Sequence, residues 1–236
     1  MIIKKMKTQS NYQDLLKLLA IIAMTIDHLG LYFYPEQQIL RAIGRLAMPI
    51  FCFFAGYNFH KRPKHLILIL GILLYIIARF IFGKFQGANI LISIYLGQWY
   101  IFLFDHQLKK FASGCWHVII GGILFPYTDI LFEYGTLVIA IMILGYIAKY
   151  EDRNRNLTVA IAIILSLFHA FVIFMPTKSD LIITIIIAIS GYLLITARNF
   201  NQPINLKINV ITRNILFVYF IQVVIIQYVW ILRNLS

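Results

Sequence analysis

Blocks of roughly 16 to 25 apolar residues recur along the whole chain, separated by short polar clusters, and each block approaches the ~20 residues an α-helix needs to cross a bilayer. Composition leaves little room for anything else. The 236 residues are 61% hydrophobic and 13% charged, with a mean hydropathy of +0.83. A soluble domain carries roughly 25% charged residues to build its polar shell. The expected fold is therefore all-α, a polytopic transmembrane helical bundle forming a single integral-membrane domain over residues 1–236.

Spans are expected at about 15–34, 39–58, 66–83, 89–105, 115–128, 134–149, 157–175, 180–197 and 208–232, about nine in all. The fifth is the weakest, because it is short, holds Gly121 and Gly122 and ends at Pro126; it could cross tilted or lie at the interface. The first apolar run carries Asp27 and His28 and lacks a small-residue cleavage pattern, so it is expected to be retained as a span. A cytoplasmic N-terminus puts Lys4, Lys5, Lys7, Lys61, Arg62, Lys64, Lys109, Lys110, Lys149, Arg153, Arg155, Arg198 and Lys207 on the inner side. The outer connectors then hold Lys84, Lys178 and Arg233 beside Glu36, Asp129, Glu133 and Asp180. This alternation is what the positive-inside rule requires and indicates a multi-pass membrane protein with its N-terminus inside.

The formal charge of +12 would suggest nucleic acid in a soluble protein. Here the cations sit mostly between spans, where anionic lipid accounts for them and no nucleic-acid partner is called for. Cys52 and Cys115 have no C-x-x-C spacing and argue for neither a disulfide framework nor a metal site. P-loop, dinucleotide-binding and H-E-x-x-H patterns are absent from the sequence. Connectors are short, so chemistry or transport must use groups within the spans or at their ends.

Those groups cluster early. Lys17 lies near the inner end of the first span and His28 eleven positions later, a rise of about 16 Å. The second span brings Arg41 and Arg45 into its outer half, one turn apart, with Gly44 between them allowing close helix approach. The short connector YPEQQ makes the first two spans antiparallel neighbours, so Asp27 is expected to pair with Arg45. That pair could simply lock two helices. His28 could be a packing histidine, or a proton acceptor with an imidazole suited to general-base work near neutral pH. Arg79, near the outer end of the third span, joins Arg41 and Arg45 in a basic lining with too few acids to neutralise it. Such a surplus suits an anion or developing negative charge, although snorkelling towards phosphates is the alternative for Arg41 and Arg79. Weaker signals are Gln98, Trp99 and Tyr100 in the fourth span, Asp105 and His106 at its mouth, His117, Ser166 with His169, and Arg213 with Asn214. Gln222, at mid-depth in the last span, is expected to face protein, where its amide finds a partner.

The stretches DLLKLLAIIAMTIDHLG at 14–30 and ILRAIGRLAMPIFCFFAGYNF at 39–59 resemble the N-terminal signature of the TraX family of bacterial inner-membrane proteins. The family takes its name from a conjugation protein implicated in acetylating the N-terminus of F-type pilin. A looser similarity links Lys17 and His28, ten residues apart between them, to membrane acyltransferases that O-acetylate envelope sugars from cytoplasmic acyl-CoA. The resemblance implies an acetyl-CoA-dependent acetyltransferase with Lys17 near the cofactor phosphates and His28 near the transfer point; charge and depth then put Asp27 and Arg45 with His28 at the catalytic centre, and Arg41 and Arg79 with Lys17 near the acetyl-CoA. Lysine at 17, where arginine is common, keeps the charge but loses the bidentate phosphate grip. The implied partners are membrane lipids, acyl-CoA and an acceptor, either pilin amine or envelope glycan or lipid. A small-molecule transporter and a noncatalytic assembly protein stay open as alternatives.

Overall fold

The computed structural model describes residues 10–82, 88–128, 131, 133–150, 157–158, 160–161, 164–165, 202–205 and 208–235. The seventh and eighth expected spans, with Ser166 and His169, lie almost wholly outside these residues. The described fold is all-α apart from one short antiparallel pair, β1 (Ser10–Asn11) against β2 (Pro203–Ile204).

Helix α1 (Tyr12–Phe33) starts at a reciprocal cap, in which the Asn11 side chain accepts from the Asp14 N–H and the Asp14 carboxylate accepts from the Asn11 N–H. The second apolar block is not one regular helix. It divides into α2 (Gln38–Gly44) and α3 (Ala47–Tyr57), with a turn at Arg45 and Leu46. Pro49 is the cause: it has no N–H to give the Arg45 carbonyl four residues back, and its ring crowds that carbonyl. The Arg45 and Leu46 amides bond instead to Ala42 and Ile43, tightening the chain at the break.

Next come α4 (His65–Phe82), α5 (Ile90–Leu103), the single turn α6 (Asp105–Leu108), α7 (Phe111–Thr128) and α8 (Gly135–Tyr150). The described chain ends with α9 (Asn209–Arg213) and α10 (Ile215–Leu235). Among the described residues, four segments are long and apolar enough to cross a membrane: α1, the α2–α3 unit, α7 and α10. Helices α4, α5 and α8 are apolar and shorter. The weak fifth block thus forms a full-length helix. It begins at Phe111, four residues before the expected start, and Gly114 there lies directly against the Ile147 side chain, where a Cβ would collide.

The core centres on α8. Residues 140–148 are all buried, so this helix is apolar on every face because protein surrounds it. Its tight neighbour is α3, with Gly56 against the Met142 carbonyl and Gly145 against the Phe53 carbonyl. Two glycines placed face to face let the backbones meet, the arrangement by which small residues drive helix association in lipid. By contrast α10 carries exposed Phe217, Ile221, Ile225, Val229 and Leu232, a face suited to lipid.

Helices α1 and α10 run parallel. Asp14 meets Thr212, His28 meets Tyr219 and Gln222, and Tyr32 meets Gln227, so both chains climb in the same direction.

Candidate functional site

A cavity of about 330 Å³ runs between α1, α3, α5 and the α9–α10 unit. Its two ends differ in chemistry. At one end the walls carry Lys17, His60, Arg62, Lys64 and Arg213. Asp14 is the acid among the described lining residues there, and its carboxylate is already engaged by the Asn11 N–H and by the Thr212 hydroxyl at 2.6 Å. Lys17 donates to the Gln13 amide oxygen at 3.4 Å and lies 5.7 Å from the Phe54 ring centre. Asn58 donates to the same Gln13 oxygen at 3.1 Å, tying α3 to α1 at this mouth.

At the other end the walls carry Asp27, His28, Gly44, Glu133, Tyr134 and Tyr219. Asp27 pairs with Arg41, whose Nη1 is 3.3 Å from Oδ2. The expected Asp27–Arg45 pair is therefore replaced. Arg45 keeps a helical backbone at the end of α2, and its guanidinium donates to the Tyr134 hydroxyl instead. Gly44 still does what its position suggested, since a Cβ there would run into the Asp27 side chain. His28 lines the cavity, with its Nδ1 3.4 Å from the Gln222 amide nitrogen and its ring 6.2 Å from that of Tyr219.

Arg79 does not join this group. It is exposed on α4 and lies outside the cavity lining, as do Arg41 and Arg45 themselves. The basic lining expected from Arg41, Arg45 and Arg79 is thus not formed: Arg41 is held by Asp27, Arg45 lies behind Tyr134, and the arginine and lysine that face the space are at the opposite end.

Two residues at the far end carry no prior signal as site residues. Glu133 was expected only as an outer-connector charge. Its Oε2 accepts from the Ile90 N–H at 3.0 Å, and it keeps accessible surface although chain atoms crowd around it, because it faces the cavity. Burial pushes its carboxyl up, with Arg45 acting in the opposite sense. Tyr134 adopts φ 62°, a left-handed conformation uncommon for a bulky side chain, followed by Gly135 at φ 42°. Such a residue stores on the order of 1–3 kcal/mol of strain and persists where its surroundings hold it. Burial pushes the phenol up to about 12, so it meets Arg45 as a neutral hydroxyl. The signal available in the sequence was a carboxylate and a tyrosine directly preceding Gly135 and an entirely apolar helix.

With this geometry in place the chain can be compared with known proteins. The model of a family described as TraX protein matches residues 12–203. The chain belongs to the TraX family. It is 47% identical over 242 residues to the uncharacterized protein RP591 of Rickettsia prowazekii (strain Madrid E), an alignment covering 99% of this chain and 97% of that one. It is also 41% identical over 54 residues to the probable fimbrial assembly protein FimC, serogroup H1, of Dichelobacter nodosus, covering 21% of this chain and 22% of that protein. No solved structure matches. The TraX match takes in both α1, with Lys17 and His28, and the α7–α8 connector that supplies Glu133 and Tyr134.

Proposed function

We propose that this TraX protein is an inner-membrane acetyltransferase that takes acetyl from cytoplasmic acetyl-CoA and transfers it to an amine on an acceptor met deeper in the membrane, the N-terminus of a pilin subunit. One observation carries this: a single cavity joins a cationic mouth to the His28 ring. The mouth fits the donor by its chemistry. Lys17, Arg62, Lys64 and Arg213 outnumber Asp14, which other groups already occupy, so phosphates would find cations there. The pantetheine arm would then follow the cavity along α1 for the rise of about 16 Å from Lys17 to His28.

The side-chain roles follow from position. His28 takes the proton from the acceptor N–H as the new N–C bond forms. The thioester C–S bond breaks, and the departing thiolate receives that proton. Tyr134, which accepts from Arg45, borders this space in place of Arg45, and its O–H would meet the negative charge that develops on the carbonyl oxygen. Asp27 holds Arg41 and anchors α2 against α1.

The orientation belongs to the same proposal. Parallel α1 and α10 are consistent with an odd number of crossings, about nine, with the N-terminus and the cationic mouth on the cytoplasmic side. The likeness to a fimbrial assembly protein favours a pilin-related acceptor over an envelope glycan or lipid.

The test is transfer of labelled acetyl from acetyl-CoA in membranes from cells making wild type or His28→Ala, with mass spectrometry of proteins, glycans and lipids to find the acetylated material. Wild-type membranes are expected to label a pilin-type N-terminus, and the variant, present at equal abundance, to label nothing. Undiminished labelling in His28→Ala would overturn the mechanism. Label appearing only on a glycan would overturn the amine acceptor, and substrate flux without any acetylated product would point to transport.

A further inference from the structure

Behind His28, away from the cavity, stands Gln222 on α10. His28 lines the cavity and Gln222 does not, yet the Gln222 amide nitrogen is 3.4 Å from His28 Nδ1. The amide carbonyl oxygen Oε1 is buried and has no hydrogen-bond partner among the described residues. One end of the amide therefore meets the ring and the other meets nothing described.

A glutamine amide has nearly the same shape after a half-turn about its last torsion, which exchanges the donor and the acceptor. The two settings have opposite consequences for the imidazole. An amide N–H donated to Nδ1 occupies that lone pair and leaves Nε2 protonated, so the ring offers the cavity a donor. A carbonyl accepting from Nδ1–H fixes the proton on Nδ1 and leaves the Nε2 lone pair for the cavity. Only the second setting makes a base. It gives the carbonyl a donor and puts the amide N–H2 where no described partner stands, so the base role rather than the hydrogen-bond count selects this setting.

We infer that Gln222 is the positioning residue of His28: its carbonyl accepts from Nδ1–H and so selects the tautomer whose Nε2 can take a proton from the acceptor. The base role comes from the proposed function, and the pairing itself comes from the geometry. The logic is that of any base oriented through its second nitrogen by a third group. Here the orienting group is neutral, which suits a site already holding Asp27 beside the ring and Arg41 facing it.

The test uses full-length protein in detergent and reads the nitrogen directly. Diethyl pyrocarbonate adds to an unprotonated imidazole nitrogen, and peptide mass spectrometry reports the rate at His28, with exposed His60 as internal reference for the reagent and circular dichroism for the fold. Gln222→Met keeps the length without the hydrogen bond, and Gln222→Glu, read at a pH where the carboxylate is ionised, can only accept. His28 is expected to label several-fold more slowly in Gln222→Met than in wild type, and at or above the wild-type rate in Gln222→Glu. Acetyl transfer is expected to follow: kcat falls at least about tenfold in Gln222→Met with KM for acetyl-CoA little changed, and is restored in Gln222→Glu. Equal or faster His28 labelling in Gln222→Met would overturn the inference, since it would mean that the amide leaves the ring alone or donates to it. Because labelling needs no acetyl transfer, slower labelling in a chain that transfers nothing would refute the proposed reaction and leave the Gln222–His28 pairing standing.

Discussion

Exchanging the expected partner of Asp27 for the observed one has a measurable consequence. At 3.3 Å the bare Coulomb attraction between Asp27 and Arg41 is about 5 kcal/mol in an effective dielectric of about 20. Most of that is offset by the cost of removing both charges from water. The contact is also single and longer than the usual 2.7–2.9 Å of a charge-assisted bond, roughly stated. The side chains retain 28% and 15% exposure, which screens them further. A coupling energy of about 1–2 kcal/mol is what remains, at the upper end of interhelical pairs in membrane proteins. Arg45, engaged with Tyr134, should couple to Asp27 by less than about 0.5 kcal/mol. The assay is a pair of double-mutant cycles, Asp27→Asn with Arg41→Gln and Asp27→Asn with Arg45→Gln, each variant unfolded reversibly in mixed micelles by increasing the dodecyl sulfate fraction. Arg41→Gln alone should cost about 2 kcal/mol, because it leaves a carboxylate whose Oδ1 is already buried without a described partner. Additive behaviour across Asp27 and Arg41, or a larger coupling to Arg45 than to Arg41, would refute the assignment and restore the pair expected from helical spacing.

Two further outcomes follow from the packing and from the mouth. Gly145→Leu puts a side chain where the Phe53 carbonyl lies, so the α3–α8 contact must part; pulse-labelled protein is expected to insert but to be degraded several-fold faster than wild type, and unchanged lifetime would contradict the close approach. Replacing Arg62, Lys64 and Arg213 together by glutamine is expected to weaken CoA binding to purified protein about a hundredfold and to flatten its salt dependence, measured by isothermal titration at two ionic strengths; unaltered affinity would place the phosphates elsewhere.

The legible part of the fold was set by segment length. The expected first span at 15–34 is α1 over Tyr12–Phe33, and the fourth at 89–105 is α5 over Ile90–Leu103, because an apolar run between polar clusters has few other ways to satisfy its backbone in lipid. Neighbourhood was legible where a connector is short, so α1 and α2 meet with Gly44 on Asp27 as the spacing implied. Partner identity failed between two arginines one turn apart, because a helical wheel puts Arg41 and Arg45 on nearly the same face and does not say which meets Asp27 and which meets Tyr134. Pairings across long stretches of chain, Arg45 with Tyr134 and His28 with Gln222, were beyond the reach of any spacing rule. Glu133 was hidden for a different reason: a carboxylate in a short connector satisfies the expectation for an outer loop, and nothing local tells a cavity-facing one from a solvated one.

The distribution of charge along the cavity ties these corrections together. Summed from the sequence alone, the arginines of the second and third spans looked like a buried cationic surplus in need of an anion. In the folded chain Asp27 pairs with Arg41, Arg45 is engaged by Tyr134 and Glu133 lies close by in the lining, so that end is close to balanced. The imbalance sits at the mouth, on Lys17, Arg62, Lys64 and Arg213, of which Arg62 and Lys64 are among the expected inner-side charges. On the proposed function, donor recognition draws on these lysine and arginine side chains, and the balanced end is left to handle a proton. On that same proposal, the charged donor binds where water can screen it and the proton moves where water is scarce, so ionic strength should act on donor binding and leave the bound-state step nearly untouched.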